Sequence, residues 1–188
     1  MTASDKLFYW IFQSHPGWIS HLLPDLAVDP ASYRFSAPVL KEQERRLDGL
    51  FRPLRESPDQ PTVILEAQMF SDDKFFRRFN LECATLIAQE TSIDHWRAVL
   101  ICPHRHLNFG RPEAVQEFLR ERLHWIELDR IANDSSADPF LQALALLVQP
   151  EPQLPARSIA LQQQLADRAD AAALTDVIAA IVLTRFNG

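Results

Sequence analysis

The stretch Pro61–Phe70, PTVILEAQMF, limits the possible folds more than any other part of the chain. Its first residues are apolar at both odd and even positions, which predicts a strand over Val63–Phe70 lying centrally in a sheet and covered on both faces. Glu66 and Gln68 interrupt the apolar run, and side chains two apart on a strand share a face. A carboxylate inside such a run needs a partner, because desolvating an unpaired charge either costs several kcal/mol or shifts its pKa. The nearby arginines Arg46, Arg77 and Arg78 offer one kind of partner, a salt bridge. A metal ion or a catalytic role is the other.

The segment RRLDGLFRP at residues 45–53 reads as a second strand. In it Leu47 and Phe51 face one way, with Gly49 between them, and Asp48 and Leu50 face the other. Two prolines and the sequence Ser-Pro-Asp-Gln make residues 55–61 a turn. If the two strands pair, Asp48, Glu66 and Gln68 converge, and two carboxylates of this kind suit a hard divalent cation.

The remaining chain supplies the covering layers. An opening helix carries Leu7, Phe8, Ile11 and Phe12 at helical spacing, with Ser4 and Asp5 as caps, and a short helical segment follows at Trp18–Leu23. Tyr33–Leu40 reads as a strand that Pro38 confines to an edge or a bulge. Asp72–Glu90 forms a helix with Phe75, Phe76, Phe79, Cys83, Leu86 and Ile87 on its apolar face and Arg77, Arg78, Glu82 and Gln89 on its polar side. Its N-cap is expected among Ser71, Asp72 and Asp73. His95–Pro103 is another two-sided strand, and Pro112 suits the first position of the helix after it. His124–Leu128 is a short strand, and Asp138-Pro139 begins an apolar helix. Pro150, Pro152 and Pro155 then read as a linker to two helices, Arg157–Arg168 and Ala171–Phe186. The alternating Cys102, His104 and His106 lack the paired spacing of a structural zinc site and read as a loop.

Two cysteines and no basic-then-apolar leader argue against a disulfide framework or secretion signal, so a cytoplasmic location is expected. No apolar run is long enough to span a bilayer, so no membrane partner is expected. The formal net charge of −6 weighs against non-specific nucleic-acid binding, but residues 41–80 hold eight basic and eight acidic groups and are neutral.

The element order, with an Asp in the second strand and Glu-X-Gln in the third, resembles the PD-(D/E)XK nuclease superfamily. Within it the chain is similar to the Rpn-like group of bacterial recombination-promoting nucleases and transposase-like proteins, especially small members long described as domains of unknown function. LFYWIFQSHPGWI, RRLDGLFRP, PTVILEAQMF, KFFRRFN and VIAAIVLTRF carry the likeness. It implies an α/β, restriction-endonuclease-like three-layer core with a mixed sheet in αβββαβ order over residues 1–149. Residues 150–188 would add a Pro-rich linker and C-terminal helices, packed on the domain or in a dimer interface.

The resemblance also implies a magnesium- or manganese-dependent endonuclease acting on DNA, linked to recombination or mobile elements. Asp48, Glu66 and the Ala67 carbonyl would hold the ion, and Gln68 would stand where many relatives carry lysine. Glutamine supplies neither a positive charge nor a useful proton acceptor near neutral pH, so Gln68 can only orient water. Arg46, Lys74, Arg77 and Arg78 are the candidate contacts to DNA, and a homodimer is expected. The competing expectation is a catalytically weak or inactive module of the same fold that self-associates through its C-terminal helices.

Overall fold

The computed structural model describes residues 3–24, 26, 29, 32–37, 39–40, 45–54 and 60–187, with 3–4, 39–40, 45–46 and 187 as backbone alone. These fall into two compact units, Phe8–Ile126 and Met1–Leu7 with Glu127–Gly188.

Along the first unit run helices α1 (Ala3–Ser14, from Phe8 onward) and α2 (Ile19–Leu22), then strands β1 (Tyr33–Ser36), β2 (Val39–Leu40), β3 (Arg45–Arg46), β4 (Gly49–Pro53) and β5 (Thr62–Ala67). Helix α3 (Phe75–Gln89), strand β6 (Trp96–Cys102), helix α4 (Gln116–Glu121) and strand β7 (Leu123–Glu127) complete it. Five strands form one mixed sheet in the order β1-β4-β5-β6-β7. β1, β4 and β5 are antiparallel neighbours, and β5 pairs with β6 in parallel after the α3 crossover. β5 is therefore central, as its two-sided apolar sequence requires.

Register decides which side chains meet. Phe51 stands opposite both Phe35 and Val63, so these share one face. There the α1 residue Phe12 meets Phe51 edge-on at 5.3 Å and Phe35 at 5.8 Å. Leu50 stands opposite Ile64 on the other face. Leu47, Leu50 and Ile64 pack with Phe75, Phe79, Cys83 and Leu86 of α3. Helices thus cover both faces.

Two expected strands are interrupted. The segment 33–40 divides into β1 and β2, and 45–53 into β3 and β4, because β2 and β3 pair with each other as a separate two-stranded ribbon. The break at Leu47–Asp48 turns Leu47 onto the α3 face with Leu50, away from Phe51, which corrects the alternation read across an unbroken strand. Pro38 and residues 55–59 of the expected turn lie outside the described residues. β5 ends at Ala67, although the Gln68 N–H still donates to the Ile101 carbonyl at 2.9 Å.

The expected cap of α3 is also displaced. Lys74 takes the N-cap position without a side-chain bond, and Asp72 instead accepts the Lys74 N–H at 3.0 Å. A 3-10 turn, Glu113–Val115, precedes α4, so Pro112 stands just outside it as N-cap.

The second unit holds α5 (Leu128–Ala132), α6 (Pro139–Leu144), a 3-10 turn at Ala145–Val148, α7 (Leu154–Leu165) and α8 (Ala171–Asn187). α5 begins at Leu128, where the sequence suggested the end of a strand. Asp138 caps α6 by accepting the Phe140 and Leu141 N–H groups at 2.9 and 3.3 Å, with Pro139 in the first turn. The Pro-rich stretch is helical rather than a linker: a 3-10 turn spans Glu151–Gln153, and Pro155 lies in the first turn of α7. Proline is tolerated there because first-turn N–H groups have no intrahelical acceptor to lose. Leu174, Val177, Ile178 and Ile181 give α8 its buried face.

Candidate carboxylate site

The β4–β5 register brings the sequence-predicted acids together. Gly49 pairs with Leu65, so the next residue back, Asp48, comes beside Glu66 on the face that α3 covers. The Asp48 N–H donates to Glu66 Oε2 at 3.4 Å, and the Ala67 N–H donates to Asp48 Oδ2 at 2.9 Å. In an extended strand a residue's N–H and C=O point to the same flank. The Ala67 carbonyl therefore lies on the flank that Asp48 occupies.

Glycine at 49 makes room on the opposite face of β4. A Cβ there would enter the ring of Phe35, which lies across the β4 backbone. The adjoining loops are fixed by backbone bonds, from the Asp72 N–H to Asn108 at 2.8 Å and from the Phe76 N–H to Phe109 at 3.0 Å. Gly110 closes that contact at φ +89, with its α-carbon against the Asp73 carbonyl.

Arg78 gathers the remaining charges. Its Nη1 lies 3.4 Å from Glu66 Oε1 and 3.5 Å from Glu82 Oε1, and its Nη2 lies 3.4 Å from Gln68 Oε1 and 3.1 Å from Asp72 Oδ2. The guanidinium also stands 5.1 Å from the centre of the Phe75 ring. Glu66 and Gln68 do share a face, and Gln68 is engaged at both ends because its Nε2 donates to the Phe70 carbonyl at 2.6 Å.

Glu66 is only 7% exposed and Glu82 only 5%. Burial, then Asp48, then Glu82 push the Glu66 carboxyl well above the usual carboxylate range, against the lowering by Arg78 and the Asp48 N–H. Glu82, Glu66 and Asp72 hold the Arg78 guanidinium above its ordinary value despite its partial burial. Cys83, behind the acids, has its thiol pushed up chiefly by burial and further by Glu66 and Glu82.

Among the other sequence candidates, Lys74 and Arg77 are exposed on the first turns of α3. The Arg46 side chain lies outside the described residues. Cys102 is buried in the α3-side core, and the His104 and His106 rings stand 6.0 Å apart in the loop beyond it.

Glu82 is the participant that the polar-side reading missed. At about 100° per residue it lies within about 20° of Phe75 and 40° of Leu86 around the helix, inside the apolar stripe. A charged residue in that position signals a buried partner, here Arg78 four residues earlier.

The donor set fits a hard divalent cation in chemistry: two neighbouring carboxylates, one of them buried, and a backbone carbonyl on the same flank. Among the described residues no three His, Cys, Asp or Glu side chains are grouped so as to hold an ion by themselves, so water and backbone would complete its shell.

The class is thus a mixed α/β protein, with Glu66 near the end of the central strand, Asp48 beside it ahead of β4, and Arg78 reaching Glu66 from α3. Residues 4–188 match the family described as "Protein of unknown function (DUF2887)", and the chain belongs to that family. No curated protein and no solved structure matches the chain.

Proposed function

We propose that this protein is a divalent-cation-dependent endonuclease of the PD-(D/E)XK superfamily, with a restriction-endonuclease-like core and an Rpn-like affinity, that hydrolyses DNA phosphodiester bonds. The observation that carries this reading is the juxtaposition of Asp48 with Glu66, a buried acid whose carboxyl is held high by burial first and by Asp48 and Glu82 after it. Asp48, Glu66 and the Ala67 carbonyl would hold magnesium or manganese. When bound, such an ion polarises the phosphate and lowers the pKa of a coordinated water.

In the reaction, water oxygen bonds to phosphorus while the bond to the leaving sugar oxygen breaks, its electron pair passing to that oxygen. Water releases one proton to solvent, and the leaving oxygen takes one up. Gln68 Oε1 retains a lone pair beyond its Arg78 contact and can accept from the attacking water. Lys74 and Arg77, both exposed, would meet the flanking phosphates. Purified protein with magnesium or manganese should nick supercoiled plasmid, and the activity should vanish in Asp48→Ala and Glu66→Ala. Undiminished nicking in those variants overturns the assignment.

A specific observation supports the self-associating reading. Ile159 on α7 and Leu183 and Phe186 on α8 are exposed at 55%, 62% and 56%, and Leu183 and Phe186, three residues apart, lie on one side of α8. Light scattering separates the two ideas: loss of a dimer in Leu183→Glu with nicking intact assigns these residues to association alone. A dimer without metal uptake or nicking favours the interaction module.

A further inference from the structure

We propose that Arg78 is the working cation of the carboxylate site, standing in for the charge that Gln68 cannot carry, and that it binds the reacting phosphate rather than serving only as counter-ion to Glu66. The inference rests on the nuclease reading above.

Three observations converge on it. First, the guanidinium reaches the position where the strand itself offers only an amide: Nη2 lies 3.4 Å from Gln68 Oε1, and Nη1 lies 3.4 Å from Glu66 Oε1. The positive charge thus enters from α3, beside the acidic pair. Second, its shortest contact is to Asp72 at 3.1 Å, while its Glu66 and Glu82 contacts, at 3.4 and 3.5 Å, exceed the ~2.7–2.9 Å of a tight charge-assisted bond. An arginine present only to neutralise Glu66 would clasp it, whereas Arg78 lies closer to Asp72. Third, the Arg78 side chain is 26% exposed whereas that of Glu66 is 9% exposed, so the cation is the more accessible of the pair.

Its surroundings fix its direction. Glu82, four residues on along the same helix, takes Nη1 from the buried side, and Asp72 takes Nη2 from the loop. The Phe75 ring supports the guanidinium from 5.1 Å. Glu82 and Asp72 are therefore positioning residues. Phosphate would displace the long Glu66 and Gln68 contacts, both 3.4 Å, which frees one N–H on each Nη for two parallel bonds to phosphate oxygens, on which negative charge grows as the water–phosphorus bond forms, while Glu82 and Asp72 keep the other two.

The test compares wild type with Arg78→Gln and Arg78→Lys, measuring manganese binding by electron paramagnetic resonance, plasmid nicking at saturating manganese, and thermal melting. Manganese binding should persist in Arg78→Gln, because the variant keeps Asp48, Glu66 and the Ala67 carbonyl. Its nicking rate should fall about a hundredfold, the size of effect seen on losing one preorganised donor. Arg78→Lys, which keeps charge but loses the planar fork, should fall between. Millimolar guanidinium should restore part of the Arg78→Ala rate without moving its melting temperature.

Manganese uptake with an undiminished nicking rate in Arg78→Gln overturns the inference and leaves the nuclease reading standing. Where the single variant does not fold, the double variant Arg78→Gln with Glu82→Gln removes charge and counter-charge together and is read in the same way. A wild type that neither takes up manganese nor nicks DNA overturns the nuclease reading, and this inference with it.

Discussion

Asp48 and Glu66 are latched to each other's strands: the Asp48 N–H donates to Glu66 Oε2 at 3.4 Å, while Asp48 Oδ2 accepts the Ala67 N–H at 2.9 Å. Each acid therefore ties backbone as well as offering oxygen to a ligand. Asp48→Ala removes the acceptor of a strand-end N–H and should cost about 1–3 kcal/mol. For a chain of this size that lowers Tm by roughly 2–4 °C per kcal/mol. Asp48→Asn keeps an acceptor oxygen and should melt close to wild type, yet it loses the anionic ligand. Differential scanning calorimetry beside a nicking assay distinguishes the roles: equal melting losses in both variants would show that charge, not hydrogen bonding, sets the stability.

The Glu66 carboxyl is raised by burial, Asp48 and Glu82, so the folded chain binds that proton more tightly than the unfolded one. Its stabilising effect is fully present below the unfolded carboxylate pKa, near 4.5. It is lost progressively as pH rises through the folded value. In chelator, the Tm of wild type should therefore decline as pH rises above about 5 toward neutrality, relative to Glu66→Gln, whose amide has no proton to lose. Melting curves taken every half unit of pH test this, and parallel profiles for the two proteins would contradict it.

At Gly49 the constraint is space. A methyl group there enters the Phe35 ring, which is itself packed 4.9 Å from Phe51, centre to centre, so the ring cannot withdraw without disturbing the aromatic layer. Gly49→Ala should destabilise by about 1–3 kcal/mol, as overpacking does. Gly49→Ala in a Phe35→Leu background should recover part of that loss. Chemical denaturation of both proteins measures the coupling.

Gly110 is constrained by conformation as well as space. At φ +89 an L side chain is strained, and its Cβ would run into the Asp73 carbonyl. The displaced segment carries Asp72, which holds Arg78 Nη2 at 3.1 Å. Gly110→Ala should therefore lose both stability and nicking rate, whereas Asn108→Ala, which removes only the side-chain acceptor of the Gly110 N–H at 3.0 Å, should lose less of each.

The local patterns in the sequence carried the central strand and the acidic pair well. The two-sided run at residues 62–67 could only be buried, and a two-residue spacing placed Glu66 and Gln68 on one face. What it concealed were departures from periodicity. Asp48 sits at the junction where one run of residues serves two different sheets, and pairing of β2 with β3 is a long-range choice that local alternation does not encode. Glu82 was hidden differently: its charge suggested solvent, although its helical angle put it in the core. The Pro150–Pro155 stretch was misread because proline breaks a helix interior but suits a first turn.

Metal binding joins the site to folding. An ion that binds only the folded state at a concentration of ten times its Kd stabilises by about 1.4 kcal/mol, so magnesium or manganese at that excess should raise Tm by about 3–6 °C. Because the ion must displace the proton that burial and neighbouring acids keep on Glu66, the shift should grow as pH rises from 5 to 8. The growth comes from the apo side: the apo protein loses the benefit of the Glu66 proton as pH rises, whereas the metal-saturated protein carries no proton there and should keep a nearly level Tm above about pH 5. Glu66→Gln should abolish both the shift and its pH dependence, while Arg78→Gln should keep them. A Tm rise that is independent of pH, or that survives in Glu66→Gln, places the ion somewhere other than this acidic pair.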